Sequence, residues 1–299
     1  MKPTIALIGP GRLGQAITTS LCQQGYPIVA VVGRDLERTR KAARFIGAEG
    51  VASTEFLSCS SADIILITTA DDQLAATAKQ IGDQIKLRQD VTMIHCSGLH
   101  TASILLQSDD RQSSPQSLSM HPLQTFASPE LGLANLPGSY FSLEGDTKAI
   151  IIGQQLVTAL GGNYFTIQAH NKALYHAAAC MASNFITTVL DSAGQLLSSC
   201  SPDKEIPLKV LAPLVRAAID NCLTMGGEAA LTGPIVRADT GTIIKHMEQL
   251  RQHHPELLNL YSSLGLYTTK LAQRSQRLSD ADAEQIKEVL TEGVTIEQT

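Results

Sequence analysis

Thr4-Ile5-Ala6-Leu7-Ile8-Gly9-Pro10-Gly11-Arg12-Leu13-Gly14 is the stretch on which the reading of this chain turns. The run Thr4 to Ile8 reads as a strand buried on both faces of a sheet. The glycines after it are spaced G-x-G-x-x-G and open a helix expected from about Arg12 to Gln24, closed by Gly25. In that setting Gly9 makes a tight turn, Gly11 leaves room for a pyrophosphate, and Gly14 lets the helix pack closely on the strand. Backbone amides at the helix start, around Arg12 and Leu13, then meet the negative oxygens. A glycine triplet alone says little, but between a strand and a helix it points to a bound dinucleotide.

Outward from that loop, Pro27–Val32 reads as a second strand, Leu36–Phe45 as a helix and Gly50–Ala52 as a short third strand. Asp63–Thr68 and Val91–Cys96 continue the series, separated by a helix through Leu74, Ala78 and Ile81. Beyond a polar loop at Gln107–Gln116, strands are expected at Ser117–Met120, Tyr140–Leu143 and Asn163–Ile167, with Asp146 capping a helix that reaches Leu160. The alternation predicts an α/β class: a doubly wound, mainly parallel Rossmann-like domain over 1–167, with ligands at the strands' carboxyl ends. Residues 168–299 carry helical spacing at 168–199, 207–225, 239–252, 256–276 and 279–291, with breaks at Ser201-Pro202, Gly226-Gly227 and His254-Pro255. They predict an all-α second domain, whose apolar faces need the first domain or a second subunit to cover them. A homodimer through the helical domain is therefore expected.

Composition narrows the function. Of the 299 residues 43% are hydrophobic and 17% charged, which supplies a core and excludes a disordered chain. The net charge of −5 and the absence of tryptophan leave neither a phosphate-backbone footprint nor stacking platforms, so no nucleic acid partner is expected. Six dispersed cysteines without a CxxC pair read as reduced core residues of a cytoplasmic protein with no metal site. Met1-Lys2-Pro3-Thr4 leads into a strand rather than a signal peptide, and the apolar runs read as too short or interrupted to span a bilayer.

Cofactor choice is tested where the second strand ends. An NAD pocket usually places an acid there for the ribose hydroxyls, whereas this chain has Val32-Gly33-Arg34-Asp35. Arg34 suits a 2′-phosphate and Arg38 is placed to assist it, so NADP stands ahead of NAD; an inward-pointing Asp35 would reverse that order. Thr69 and the Ser97-Gly98 pair follow later strands at the rim where a nicotinamide belongs, with Asp71 read as the cap of the next helix.

Substrate chemistry has three candidate catalytic groups. His121 is followed by Pro122, which holds it extended, while Lys172 and His176 lie near one stripe of a helix with Tyr175 beside them and Ser183 further along. Each has an ordinary alternative: a histidine bonded to backbone, a lysine snorkelling to solvent. Asn184, about 80° around an ideal helix from His176, can border the same cleft. Thr232, Arg237 and Asp239 form a last polar cluster ahead of His246, in which Arg237 is an anion anchor and Asp239 a helix cap, or the two tie helices together.

With these motifs in view the chain resembles the family that joins a Rossmann-like domain to a DUF2520 domain. The likeness rests on Gly9–Gly14, His121–Phe126, Leu143–Asp146, Lys172 through Tyr175-His176-Ala177-Ala178, Ser183-Asn184 and Leu231–Asp239. That family is similar to pyrroline-carboxylate reductases, ketopantoate reductases and F420-dependent NADP oxidoreductases, in which a helical domain helps to build the substrate cleft and often the dimer. The resemblance implies an NADP(H)-dependent oxidoreductase moving a hydride to or from a small carbonyl or imine compound, with NAD or coenzyme F420 as other cofactors and a non-catalytic dinucleotide-binding or regulatory protein as the alternative. Lys172 is placed like the helix lysine of ketopantoate reductases, although His176 replaces the asparagine found one turn later in some of those enzymes. Arg237-Ala238-Asp239 departs from the Arg-Gly-Asp of the family and puts a methyl group where backbone freedom matters.

Overall fold

The computed structural model describes residues 1–106, 115–200 and 208–292, so most of the expected polar loop at 107–116 and the break at Ser201-Pro202 lie outside the described residues. The chain forms two compact units, Met1–Asn184 and Phe185–Thr299.

In the first unit the strands are β1 (Ile5–Ile8), β2 (Ile28–Val32), β3 (Ala52–Ser53), β4 (Ile64–Ile67), β5 (Thr92–His95), β6 (Gln116–Pro122), β7 (Tyr140–Gly145) and β8 (Asn163–Thr166). They build one sheet in the order β3-β2-β1-β4-β5-β6-β7-β8. All neighbours are parallel except β6 and β7. The helices are α1 (Arg12–Gln23), α2 (Leu36–Ile46), α3 (Leu74–Gln84), α4 (Pro129–Asn135), α5 (Thr147–Ala159) and α6 (Lys172–Cys180). The expected α/β Rossmann-like sheet is present, and the described residues after Asn184 contain helices without a strand.

Strand β1 explains the layering. Its four residues are all buried: Ile5 and Leu7 join a core with Ile17 and Leu21 of α1, while Ala6 and Ile8 join a second core with Leu74, Ala78 and Ile81 of α3. Side chains that alternate across a strand thus feed both layers, which is why the run is apolar at every position. Each buried leucine or isoleucine contributes about 2 kcal/mol through removal from water.

Strand β6 runs further than the sequence indicates, to Pro122. His121 therefore lies within the ladder, opposite Ser142 of β7, rather than beyond the strand end. Pro122 is tolerated because it closes the strand. Residues 168–199 form a 3-10 turn at Ala169–Asn171, then α6, a π-helical turn at Met181–Phe185 and α7 (Ile186–Ser199). By length and composition alone the stretch Ala169–Ser199 meets what a bilayer crossing needs, at a mean hydropathy of 1.2, so the apolar run is longer than expected from the sequence. The reason is that α6, the π turn and α7 join without a break. Lys172 in this stretch is nevertheless bound into the first unit, as described below.

The second unit comprises α7, α8 (Ala212–Met225), α9 (Gly227–Ala230), α10 (Thr240–His253), α11 (Leu258–Arg274) and α12 (Asp280–Thr291). Its core is Ile243, Met247 and Leu250 of α10, Leu258 and Ala272 of α11, and Ala283, Ile286 and Leu290 of α12. Gly265 lets α11 and α12 approach, because a Cβ there would come within 2.8 Å of Leu290.

Candidate functional site

The β1–α1 loop is held by hydrogen bonds that leave its outer face open. Gly9 has φ +77° and a Cβ there would lie 2.8 Å from Thr69 Cγ2. Thr68 Oγ1 donates to the Gly9 carbonyl oxygen at 2.6 Å, and Gln15 Nε2 donates to the Pro10 carbonyl at 2.9 Å. Gly14 packs against β4, since a Cβ would lie 2.2 Å from Thr68 Oγ1. Gly11 is different: the nearest atom to a Cβ there is the Gly9 oxygen at 3.9 Å, so the space in front of it is clear. Gly11 is also the N-cap of α1, with no side-chain cap and no acidic residue in the first turn. The amides of Arg12, Leu13 and Gly14 thus stand at an uncapped helix start. This donor set fits a diphosphate. Thr68, which sequence reading passed over as the end of a strand, is what clamps the loop.

At the tip of β2, Gly33 is required by close packing, because a Cβ would lie 2.4 Å from Thr39 Oγ1. Asp35 caps α2, its Oδ1 accepting from the Arg38 amide at 2.8 Å, and Arg34 is exposed beside it.

The β4 and β5 tips are tied together. Asp71 does not cap the following helix; its Oδ2 instead accepts from Ser97 Oγ at 2.7 Å, and Ser97 Oγ in turn accepts from the amides of Leu99 and His100. His95 organises the same turn from below. Its Nδ1 accepts from the Ser97 amide at 3.1 Å and its Nε2 donates to the Thr101 carbonyl at 3.1 Å, so two backbone groups fix its tautomer. Burial, reinforced by the Lys172 charge, pushes His95 down to about 4. Thr69 Oγ1, at the β4 tip, is buried without a hydrogen-bond partner.

The three expected catalytic residues come together in the first unit, around Gly98. Lys172 is 1% exposed; its Nζ donates to the Ser97 carbonyl at 2.9 Å and to Ser119 Oγ. Burial lowers it to about 8, with Glu144 the foremost group acting in the other direction. His121 is lowered to about 4, first by burial and then by Lys172. A Cβ at Gly98 would lie 2.5 Å from His176 Nδ1 and 3.0 Å from His121 Nε2. The space that Gly98 leaves is thus taken by two imidazoles, which sequence reading had reserved for the cofactor. The rings meet edge to face at 5.9 Å. His176 Nε2 is 3.7 Å from Cys180 Sγ, while its Nδ1 is buried without a partner. Tyr175, read only as a neighbour, places its hydroxyl 2.6 Å from His121 Nδ1.

Asn184 ends the first unit within the π turn. Thr232, Arg237 and Asp239 belong to the second unit, in the loop before α10. Asp239 caps α10, accepting from the Thr242 amide at 3.0 Å and from Thr242 Oγ1 at 2.7 Å, while Arg237 is exposed. Ala238 between them is held at φ +53°. Among the described residues no group of side chains has the composition of a metal site.

Residues 4–97 match the model of the coenzyme F420-dependent NADP oxidoreductases, and residues 139–268 match the domain of unknown function DUF2520. The first of these matches takes in the glycine loop and strands β1 to β5, and the second begins just before β7 and runs into α11. Among solved structures the chain is similar to BF3122 of Bacteroides fragilis, provisionally described as an NADP oxidoreductase, at 22% identity and a TM-score of 0.74 over 91% of this chain and 99% of that one. The protein TM1727 of Thermotoga maritima matches with the same identity and coverage at a TM-score of 0.70. A pyrroline-5-carboxylate reductase of Coxiella burnetii matches at 13% identity and 0.58 over 97% of this chain and 99% of that one. At these identities the likeness is one of fold. No curated protein matches the chain. The expectation of a dinucleotide-binding fold agrees with the match over residues 4–97.

Proposed function

We propose that this oxidoreductase uses NADPH to reduce a C=O or C=N group of a small molecule. The observation that carries the reading is the β1–α1 loop: Gly9 locked by Thr68, Gly11 open, and the α1 amides uncapped. An anion placed there gains direct hydrogen bonds and the favourable end of the helix dipole. The preference for a 2′-phosphate is supported by Asp35, whose carboxylate is committed to α2, leaving the exposed Arg34 as the charged group at the β2 tip.

When bound, the dinucleotide supplies the hydride. The residues around Gly98 then orient the acceptor. His121 Nε2 and His176 Nδ1 are the groups that hydrogen-bond the reacting oxygen or nitrogen. Lys172 acts as a fixed charge behind them, held by Ser97 and Ser119. Asn184 is a further polar group of the first unit, and within the second unit Arg237 and Thr232 are anion-binding groups on a loop that Asp239 holds as a cap. Apolar side chains left exposed on α7 and α8, including Val189, Leu214 and Leu223, with Phe185 just ahead of α7, support a homodimer through the helical unit. The six free cysteines support a cytoplasmic setting.

Parallel calorimetric titrations with NADPH, NADH and reduced coenzyme F420 test the reading. NADPH is expected to bind tightest and then to be oxidised in the presence of carbonyl or imine compounds. Failure of all three to bind would overturn it, and sedimentation as a monomer at micromolar concentration would remove the dimer.

A further inference from the structure

His121 is pinned on three sides. Its backbone is fixed by pairing with Ser142, its Nδ1 is 2.6 Å from the Tyr175 hydroxyl, and its Nε2 lies against Gly98. Tyr175 is itself fixed. Lys172, three residues earlier on α6, is bound to Ser97 and Ser119 and so sets the rotation of the helix, while Phe165 meets the Tyr175 ring edge at 6.1 Å.

A tyrosine and a neutral histidine can share a hydrogen bond in two ways. A phenol gives up its proton far more readily than an imidazole N–H, and a bare imidazole nitrogen is a stronger acceptor than a phenol oxygen. The favoured arrangement is therefore O–H of Tyr175 donating to Nδ1 of His121, which leaves the ring proton on Nε2. Burial acts in the same direction, raising Tyr175 against a smaller opposing effect of the Ser142 hydroxyl so that it keeps its proton, and lowering His121 so that it stays neutral.

We propose that Tyr175 is a positioning residue that holds His121 in the tautomer protonated at Nε2, so that His121 presents a hydrogen-bond donor at Gly98 rather than a base. The neighbouring His176 Nδ1, buried without a partner against the same glycine, supplies a second polar atom there. The consequence for chemistry rests on the reductase reading above. A neutral imidazole donor polarises a carbonyl oxygen or imine nitrogen through its hydrogen bond; losing the Nε2 proton outright would leave an imidazolate or a phenolate, so His121 is not the group that gives its proton away. The same use of a neutral histidine is known where a helix lowers its basicity.

The test is a long-range proton–nitrogen correlation spectrum of the full chain labelled with nitrogen-15 in histidine, near neutral pH, with His121→Asn assigning the signals. The expected spectrum shows His121 with a bare Nδ1 and a protonated Nε2. In Tyr175→Phe, which keeps the ring that packs on Phe165, the His121 signals are expected to become a mixture of tautomers with an unchanged circular dichroism spectrum. A protonated Nδ1 in the wild type, or the same single tautomer in Tyr175→Phe, would overturn the proposal. The wild-type spectrum decides the tautomer even if the variant misfolds. NADPH titration of the same sample keeps the two readings apart: no binding alongside the expected tautomer would sink the reductase reading and leave the tautomer standing.

Discussion

Thr68 Oγ1 and the carbonyl oxygen of Gly9 are joined by a 2.6 Å hydrogen bond that ties the tip of β4 to the first turn of the glycine loop. The same hydroxyl stands where a Cβ on Gly14 would have to go. One threonine therefore holds the turn and meets the start of α1. Replacing it with valine keeps the volume and removes the donor, leaving the Gly9 carbonyl with the Gly11 amide but without its side-chain donor, at a cost of about 1 kcal/mol. Thr68→Val is expected to fold and to bind NADPH roughly five- to tenfold more weakly, that cost expressed at the cofactor. Calorimetry on the purified variant checks this, and an unchanged affinity would show that the clamp is redundant.

The tip of β2 separates two roles that the sequence left in competition. Asp35 caps α2, so Asp35→Ala is expected to lower stability by about 1 kcal/mol and to leave the choice between NADPH and NADH as it was. Arg34→Ala is expected to do the opposite, keeping stability and costing about tenfold in NADPH affinity, the size of one charge-assisted contact, with NADH little changed. A ratio of NADPH to NADH affinities that stays the same in Arg34→Ala would remove this residue from cofactor recognition.

How much of this was legible follows the range of the interactions. Strand β1 and the start of α1 are local patterns, and both lie within a residue of where they were read. The approach of His121, Lys172 and His176 was suggested only as a list of polar residues on apolar faces, because what unites them is Gly98, which is far from all three in sequence. Tyr175 was visible as a neighbour but its partner on β6 was not, since a hydrogen bond across 54 residues leaves no periodic trace. Asp71 was misread for the same reason: a carboxylate ahead of a helix looks like a cap, and its bond to Ser97 depends on the adjacency of β4 and β5. The π turn at Met181–Phe185 has no sequence signal either, and it shifts the phase that an ideal helix gives to Asn184.

Ala238 sits at φ +53°, in the left-handed region where its methyl group crowds the backbone. The conformation is kept because Asp239 must cap α10, and the turn closes with the Asp239 amide donating to the Pro234 carbonyl at 2.9 Å. Ala238→Gly restores the residue that the family resemblance leads one to expect here. It is expected to raise stability by about 1 kcal/mol, the strain relieved outweighing the added freedom of the unfolded chain. A higher midpoint in thermal unfolding checks it, and a lower one would mean that the loop carries no strain.

Two buried bases give stability the same rising slope with pH in two separate windows. His95 is neutral in the folded state down to about 4, against 6.5 when unfolded, so between those values the unfolded chain binds more protons. Its contribution is complete above 6.5 and is lost as pH falls towards 4, on the order of 3 kcal/mol in full. Lys172 falls to about 8 from 10.5, so stability is expected to rise as pH climbs from 8 towards 10.5, where the buried amine no longer has to carry a charge unfavourably. Lys172→Met should abolish the alkaline rise and leave the acid loss in place. Urea midpoints across the pH range measure both, and an alkaline slope that persists in Lys172→Met would place its origin elsewhere.

Gly98 decides between two uses of a close approach. If the glycine were needed to admit the nicotinamide, adding a methyl group would weaken NADPH binding directly. In the structure that methyl group would instead meet His176 Nδ1 at 2.5 Å and His121 Nε2 at 3.0 Å, with the turn behind it fixed by His95, Asp71 and Lys172. Since the turn is held by several hydrogen bonds, the rings are what must move, and with them the donor and acceptor that face the reacting atom. Gly98→Ala is therefore expected to keep its fold and most of its NADPH affinity while losing turnover by at least about a hundredfold, the scale of misplacing a reacting group by an ångström. Equilibrium binding and steady-state rates measured on one preparation separate the two outcomes, and a loss of affinity as large as the loss of rate would return Gly98 to the cofactor.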